Sequence, residues 1–155
     1  MALTDQQIAE ITRLTSHYRQ KSGAAVEALK MVQRTSRWVS DEDLGAVASL
    51  LDMSPDSLDG VATFHNLIYR QPVGRHVILV CDSVSCWIMG CRLLGDHLRR
   101  QLEVQWGGTT ADDRFTLLPV VCLGACDHAP TVMVDEDLHG EVTPAKLDQA
   151  LEGYR

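Results

Sequence analysis

His76-Val77-Ile78-Leu79-Val80-Cys81-Asp82-Ser83-Val84-Ser85-Cys86 is the stretch on which the fold turns. Its first six residues form an unbroken β-prone run, as a strand covered on both faces requires, and they deliver Cys81 at the strand's C-terminal end. Downstream, Trp87, Cys91, Leu94, Leu98 and Leu102 fall on one helical stripe, which predicts a helix from about Cys86 to Leu102 packed back onto a sheet. Strand, cysteine loop and helix make one β-loop-α unit.

The segment that follows repeats the strand-and-loop pattern. Gly107-Gly108 and the polar Thr109 to Arg114 form a connection, and Phe115 to Val121 is the next strand, ending in Cys122-Leu123-Gly124-Ala125-Cys126. Thr131 to Asp135 reads as a third strand, Glu136 to His139 as a turn, and Gly140 to Val142 as a short antiparallel return. Thr143-Pro144 then starts a terminal helix through Leu147 and Leu151.

Upstream of His76 the register is helical. Thr4 with Gln7 forms a capping box ahead of Ile8, Ile11, Leu14 and Tyr18, so a first helix is expected from about Asp5 to Arg19. A second, shorter helix carries Val26, Leu29, Met31 and Val32. Ser40 followed by Asp41, Glu42 and Asp43 places a cap and three carboxylates at a third helix start, where the macrodipole favours them. Ser54-Pro55 starts a fourth, expected to break between Gly60 and Phe64, and the irregular Phe64 to Gly74 links helices to sheet. The expected class is therefore α/β in the α+β sense: a helical bundle over residues 1–65, then residues 66–155 with a mixed sheet of about four strands and flanking helices.

Composition removes several functions. The 155 residues carry 14 Lys and Arg against 21 Asp and Glu, a net charge of -7, which argues against a nucleic-acid footprint or a polybasic membrane anchor. Met1-Ala2-Leu3-Thr4-Asp5-Gln6 has neither a basic n-region nor an apolar h-region, and no apolar run approaches bilayer length, so no direct membrane insertion is expected and a cytoplasmic or peripheral place is. Five cysteines are an odd number, and without a secretion signal metal binding or redox chemistry is a better prior than a disulfide framework.

The candidate site is the pair of cysteine loops. Cys81 and Cys86 enclose four residues, Cys122 and Cys126 enclose three, and each loop brings two thiolates to one metal at little ordering cost. Four thiolates hold either zinc or an iron-sulfur cluster. Structural zinc often uses Cys-x2-Cys knuckles, so the wider loops favour a binuclear cluster, while dithiol exchange would call for the Cys-x-x-Cys that is absent here. The positive end of the helix near Cys86, with Ser85 as its cap, would face the anionic cluster. Gly124 either lets backbone approach the inorganic sulfide or takes a positive φ.

Val80-Cys81-Asp82-Ser83-Val84-Ser85-Cys86 and the run from Thr116 through Cys122-Leu123-Gly124-Ala125-Cys126-Asp127-His128-Ala129-Pro130 resemble the E-subunit family of bacterial NADH-quinone oxidoreductase, respiratory complex I. The likeness extends to Gly60-Val61-Ala62-Thr63-Phe64 and Gln71-Pro72-Val73-Gly74-Arg75-His76, nearly the whole chain. It implies a thioredoxin-like [2Fe-2S] domain behind a helical docking domain, with Cys81 and Cys86 on one iron and Cys122 and Cys126 on the other. It further implies an electron-transfer subunit of an oxidoreductase, without a hydride-transfer site of its own, docked on a subunit that binds FMN and NADH. Other peripheral-arm subunits would be neighbours, on the cytoplasmic side of the inner membrane. The equivalent subunit of an NAD-linked formate dehydrogenase or hydrogenase is the alternative within that class; a zinc-stabilised binding module is the alternative outside it. Many family members carry Gly-Thr in the first loop and His after its second cysteine, where this chain has Asp82-Ser83 and Trp87. The thioredoxin-like analogy also raises a cis bond before Pro130.

Other polar residues read as structural. Cys91 lies on the apolar stripe and is expected to be a packing thiol. Of the six histidines, His128 alone stands close enough to a motif cysteine to hydrogen-bond near it. The carboxylate runs Asp41 to Asp43 and Asp135 to Asp137 serve caps and turns, and Trp38, Trp87 and Trp106 serve core or interface.

Overall fold

The computed structural model describes residues 3–154; Met1 and Ala2, which open the stretch read for a targeting signal, and Arg155 lie outside the described residues. Two units follow one another, Met1–Pro72 and Val73–Arg155. Among the described residues they hold seven α-helices and a four-stranded mixed sheet, the expected α/β class.

In the first unit the caps set the helix starts. Helix α1 (Asp5–Thr15) opens on the Thr4–Gln7 box, with the Thr4 hydroxyl accepting the Gln7 N–H at 3.2 Å and Gln7 Oε1 accepting the Thr4 N–H at 2.9 Å. It ends at Thr15 rather than near Arg19. The N–H groups of Ser16, His17 and Tyr18 turn to carbonyls three residues back, and the hydroxyls of Thr15 and Ser16 donate to carbonyls of the last turn, which tightens it out of α geometry. A 3-10 turn, Lys21–Ala24, leads into α2 (Ala25–Ser36); α3 (Asp41–Leu50) is capped by Ser40 and α4 (Pro55–Phe64) by Ser54. Helix α4 runs through Gly60, where a break was expected, because Leu58 and Ala62 one turn apart are both fully buried and the exposed Gly60 lies off that face.

Ile11, Leu29, Val32, Val47, Leu51 and Leu58 form the centre of this unit's core, each such side chain contributing roughly 1.5–3 kcal/mol by leaving water. The stretch 66–72 belongs to it too. Ile68 is buried in the same core, Gln33 bonds both Leu67 O and Tyr69 N, and the Arg70 guanidinium reaches Val39 O, Asp41 and Asp59. These contacts put the division after Pro72, later than the change of pattern at 65/66.

The second unit is built on β1 (His76–Cys81), β2 (Phe115–Val120), β3 (Val132–Val134) and β4 (Asp137–His139), in the order β2-β1-β3-β4. Strand β1 is central and buried from Val77 onward, parallel to β2 and antiparallel to β3. Pro119, which offers no N–H, is tolerated because β2 is an edge strand. Leu94 and Leu98 pack on Ile78, Val80 and Leu117, and α7 (Pro144–Leu151) closes the core through Leu147 and Leu151.

Two expectations are corrected here. The single helix from Cys86 to Leu102 is two, α5 (Val84–Ile88) and α6 (Cys91–Gln101), parted at Gly90 with φ 92, a left-handed conformation that only glycine takes without strain. Trp87 thereby leaves the buried stripe and stands 54% exposed. The hairpin turn lies at Asp135-Glu136 and the return strand at Asp137–His139, not at 136–139 and 140–142. Asp135 takes φ 55, and its carboxylate accepts the Val77 N–H at 2.9 Å and lies 2.7 Å from His76 Nδ1, so bonds to β1 hold the aspartate in this conformation.

Candidate metal centre

Parallel pairing of β1 and β2 aligns Cys81 with Val120, so both strands end at the same edge of the sheet. The two cysteine loops therefore leave side by side. The Asp82 N–H donates to Val120 O at 2.8 Å and fastens one loop to the other at its root. Cys86 follows in the first turn of α5, whose N-cap is Ser83 in place of the Ser85 expected, with no side-chain cap bond.

One pair is buried and the other open. Cys81 and Cys86 are each about 1% exposed, whereas Cys122 and Cys126 are exposed. Burial pushes the Cys81 thiol up, but N–H groups of Ser83 and Leu123, with bonds to Cys86 and Thr131, outweigh it and hold the thiol below its ordinary value. The Leu123 N–H belongs to the second loop, so the first cysteine is served by both. Burial and the neighbouring Cys81 hold Cys86 above its ordinary value, although Thr131 opposes them. Proximity to Cys122 raises Cys126, against a bond from Ser85. Two of the site's contacts, Leu123 to Cys81 and Ser85 to Cys126, thus cross between loops.

Cys122 Sγ lies 4.0 Å from Cys126 Sγ and accepts the Gly124 N–H at 3.3 Å. Gly124 has φ 80, and a Cβ there would meet nothing within 4 Å, so conformation rather than space calls for glycine. His128 lies against carboxylates, its Nε2 3.4 Å from Asp127 Oδ2 and its Nδ1 4.0 Å from Glu141 Oε1. The Ala129-Pro130 bond is cis.

Cys91 is buried apart from the pairs, 3.8 Å from Asp82 Oδ1, its thiol pushed up to about 11 by burial and by the Asp82 charge. It remains a protonated packing thiol, bordering a cavity of about 550 Å³ shared with Asp82, Trp87, Arg99 and Trp106. The carboxylate runs serve structure: Asp43 accepts from Ser40, Asp41 pairs with Arg70, and Asp137 accepts from Tyr154.

The sequence reading missed two features. Thr131 is buried with its hydroxyl 3.4 Å from Cys86 Sγ. Val84, Trp87, Ile88, Met89, Leu93 and Val121 are all exposed in or near the two loops; the signal for those on α5 was a five-residue helix, apolar apart from Ser85 and too short to bury them.

Among the described residues no three His, Cys, Asp or Glu side chains converge as a single metal ion would need. The sulfurs stand as two pairs, with N–H donors at Cys81, Cys86 and Cys122, and four thiolates so served are a donor set that fits a [2Fe-2S] cluster.

Residues 11–155 match the family of thioredoxin-like [2Fe-2S] ferredoxins. The chain is 43% identical over 153 residues to the E subunit of NADH-quinone oxidoreductase from Buchnera aphidicola, covering 99% of this chain and 94% of the relative. It is 45% identical over 152 residues to the protein of the same name from Pseudomonas aeruginosa (98% and 92% covered). With that from Escherichia coli K12 it shares 47% over 139 residues (90% and 84% covered). A crystal structure of an NAD+-reducing [NiFe]-hydrogenase matches with a TM-score of 0.70 at 23% identity, covering 84% of this chain and 22% of the hydrogenase chain. That likeness is one of fold, and this chain spans about a fifth of that one.

Proposed function

Because this chain belongs to the thioredoxin-like [2Fe-2S] ferredoxin family, we propose that it is the electron-transfer subunit of the NADH-oxidising module of an NADH-quinone oxidoreductase. Cys81 and Cys86 hold one iron, Cys122 and Cys126 the other. The observation that carries this reading is the parallel register of β1 and β2, which brings two short cysteine loops from distant sequence to one sheet end. When bound, a [2Fe-2S] cluster takes up and releases one electron. The chain's own part is to bind and to bias: the N–H groups of Ser83, Leu123 and Gly124 point at sulfur, and each favours added negative charge there.

The partner in this reading is the subunit that carries FMN and NADH, within electron-transfer reach of the exposed Cys122 and Cys126, with other peripheral-arm subunits beyond it. Hydride transfer belongs to that partner. The helical unit, residues 1–65 with the segment to Pro72, serves as a docking element. Among the described residues no helix is long and apolar enough to cross a membrane, and we place the protein on the cytoplasmic face of the inner membrane through its complex.

The test is anaerobic purification followed by iron, acid-labile sulfide and zinc analysis, visible absorption, and EPR after dithionite reduction. The expected result is two irons and two sulfides per chain, with the signal lost or altered in Cys86→Ser and Cys122→Ser and unchanged in Cys91→Ser. A colourless protein with stoichiometric zinc and no labile sulfide would refute the proposal. Loss of the signal in Cys91→Ser alone would refute the ligand assignment.

A further inference from the structure

Thr131 is one of four buried polar or charged residues among those described, at 1% exposure, and it stands at the entry to β3 beside the buried cysteine pair. Its carbonyl accepts the Cys81 N–H at 3.2 Å, and its hydroxyl lies 3.4 Å from Cys86 Sγ. The other buried threonine of this unit, Thr116, spends its hydroxyl on Gly74 N and Thr109 Oγ1, which are backbone and loop contacts. Thr131 spends its own on sulfur. We propose that Thr131 is a positioning residue that fixes Cys86 and sets how tightly the centre holds an added electron, an inference that rests on the [2Fe-2S] reading above.

The physical reason is burial. A hydroxyl carries one O–H donor that rotates to suit its neighbour, and toward a thiolate it makes a charge-assisted bond. One-electron reduction raises the negative charge shared by the four thiolates, so the bond is stronger in the reduced state than in the oxidised one. At the exposed Cys122 and Cys126, water can make the same bond, so one hydroxyl there changes little. At Cys86, sealed from solvent, the Thr131 N–H remains in every variant but no water replaces a lost hydroxyl, and the low local dielectric magnifies the loss of that second bond. Helix α5 adds little competing field, being only five residues long.

The experiment is an EPR-monitored dithionite titration of the full chain, wild type against Thr131→Val, Thr131→Ala and Thr131→Ser, with iron and labile sulfide measured on each. Valine keeps the shape and removes the donor; serine keeps the donor. Expected is a more negative midpoint for Thr131→Val, each tenfold weaker hold on the electron reading as about 59 mV for a one-electron couple, with Thr131→Ser near wild type. Equal midpoints for wild type and Thr131→Val at equal iron content overturn the inference. Where the valine variant takes up no iron, the alanine variant is read in its place, with the same criterion. If only the serine variant and the wild type load, the hydroxyl's hold on Cys86 is supported; if serine fails as well, the inference is overturned. A wild-type protein without iron and labile sulfide overturns the cluster reading itself, and the metal analysis tells that failure from the other.

Discussion

Replacing Arg70 by methionine keeps an apolar stem and removes three hydrogen bonds, and the structure ranks them. Nη1 donates to the carbonyl of Val39, a residue with no exposed surface; Nε donates to Asp59 at 2.7 Å; Nη2 donates to Asp41 at 2.5 Å. The Asp41 side chain is 98% exposed and that of Asp59 46%, while that of Arg70 is only 18% exposed. Burial pulls the guanidinium's pKa down, yet the Asp59 and Asp41 bonds outweigh it, so the charge is kept. An exposed pair contributes near zero and a half-exposed one roughly 0.2–1 kcal/mol. A bond from a charged donor to a buried carbonyl contributes about 1.5–3 kcal/mol, and its loss strands the acceptor. The total is about 3 kcal/mol, most of it from Val39 O. With a urea slope of about 1–3 kcal/mol per molar, Arg70→Met lowers the unfolding midpoint followed by helical circular dichroism by about 1–3 M. Asp41→Asn, which loses an exposed pair and one carboxylate at a helix start, costs under about 1 kcal/mol and moves it far less. Since a carbonyl bond is little screened, the loss persists in half-molar salt. An Asp41→Asn loss as large as that of Arg70→Met, or its disappearance in salt, would refute this ranking.

Two further predictions concern titrating groups. In metal-free protein at pH 8, iodoacetamide is expected to modify Cys122 and Cys126 while sparing Cys91, whose buried thiol ionises only near 11; mass mapping that finds Cys91 alkylated as fast as Cys122 would contradict it. The Tyr154 hydroxyl, pushed up to about 12 by burial and by its bond to Asp137, favours the neutral phenol in the folded state. Its contribution is complete below pH 10 and is lost as pH rises through 12, so the alkaline fall in thermal midpoint should be shallower in Tyr154→Phe than in wild type.

Much of the fold was legible because its signals are local. Thr4 with Gln7, Ser40 ahead of Asp41 and Ser54 ahead of Pro55 each satisfy N–H groups within one turn, so helix starts could be read off adjacent residues. Helix interiors and ends were harder. Gly60 and Gly90 are the same residue with opposite outcomes: the first rides through α4 because Leu58 and Ala62 hold it, the second turns left-handed and ends α5. The Asp135-Glu136 turn was likewise misplaced, since it depends on the Asp135 carboxylate meeting Val77, a residue far away in sequence.

For the candidate site the division has the same cause. The spacing of Cys81 with Cys86 and of Cys122 with Cys126, the glycine between the second pair and the apolar setting of Cys91 follow from neighbours along the chain, and the sequence by itself determined them. That one pair is sealed and the other open, that Leu123 serves Cys81 and that Thr131 bonds Cys86 were decided by tertiary structure alone. Each depends on the register of β1 against β2 and β3, where partners come from distant segments and a slip of one residue would send every side chain to the other face.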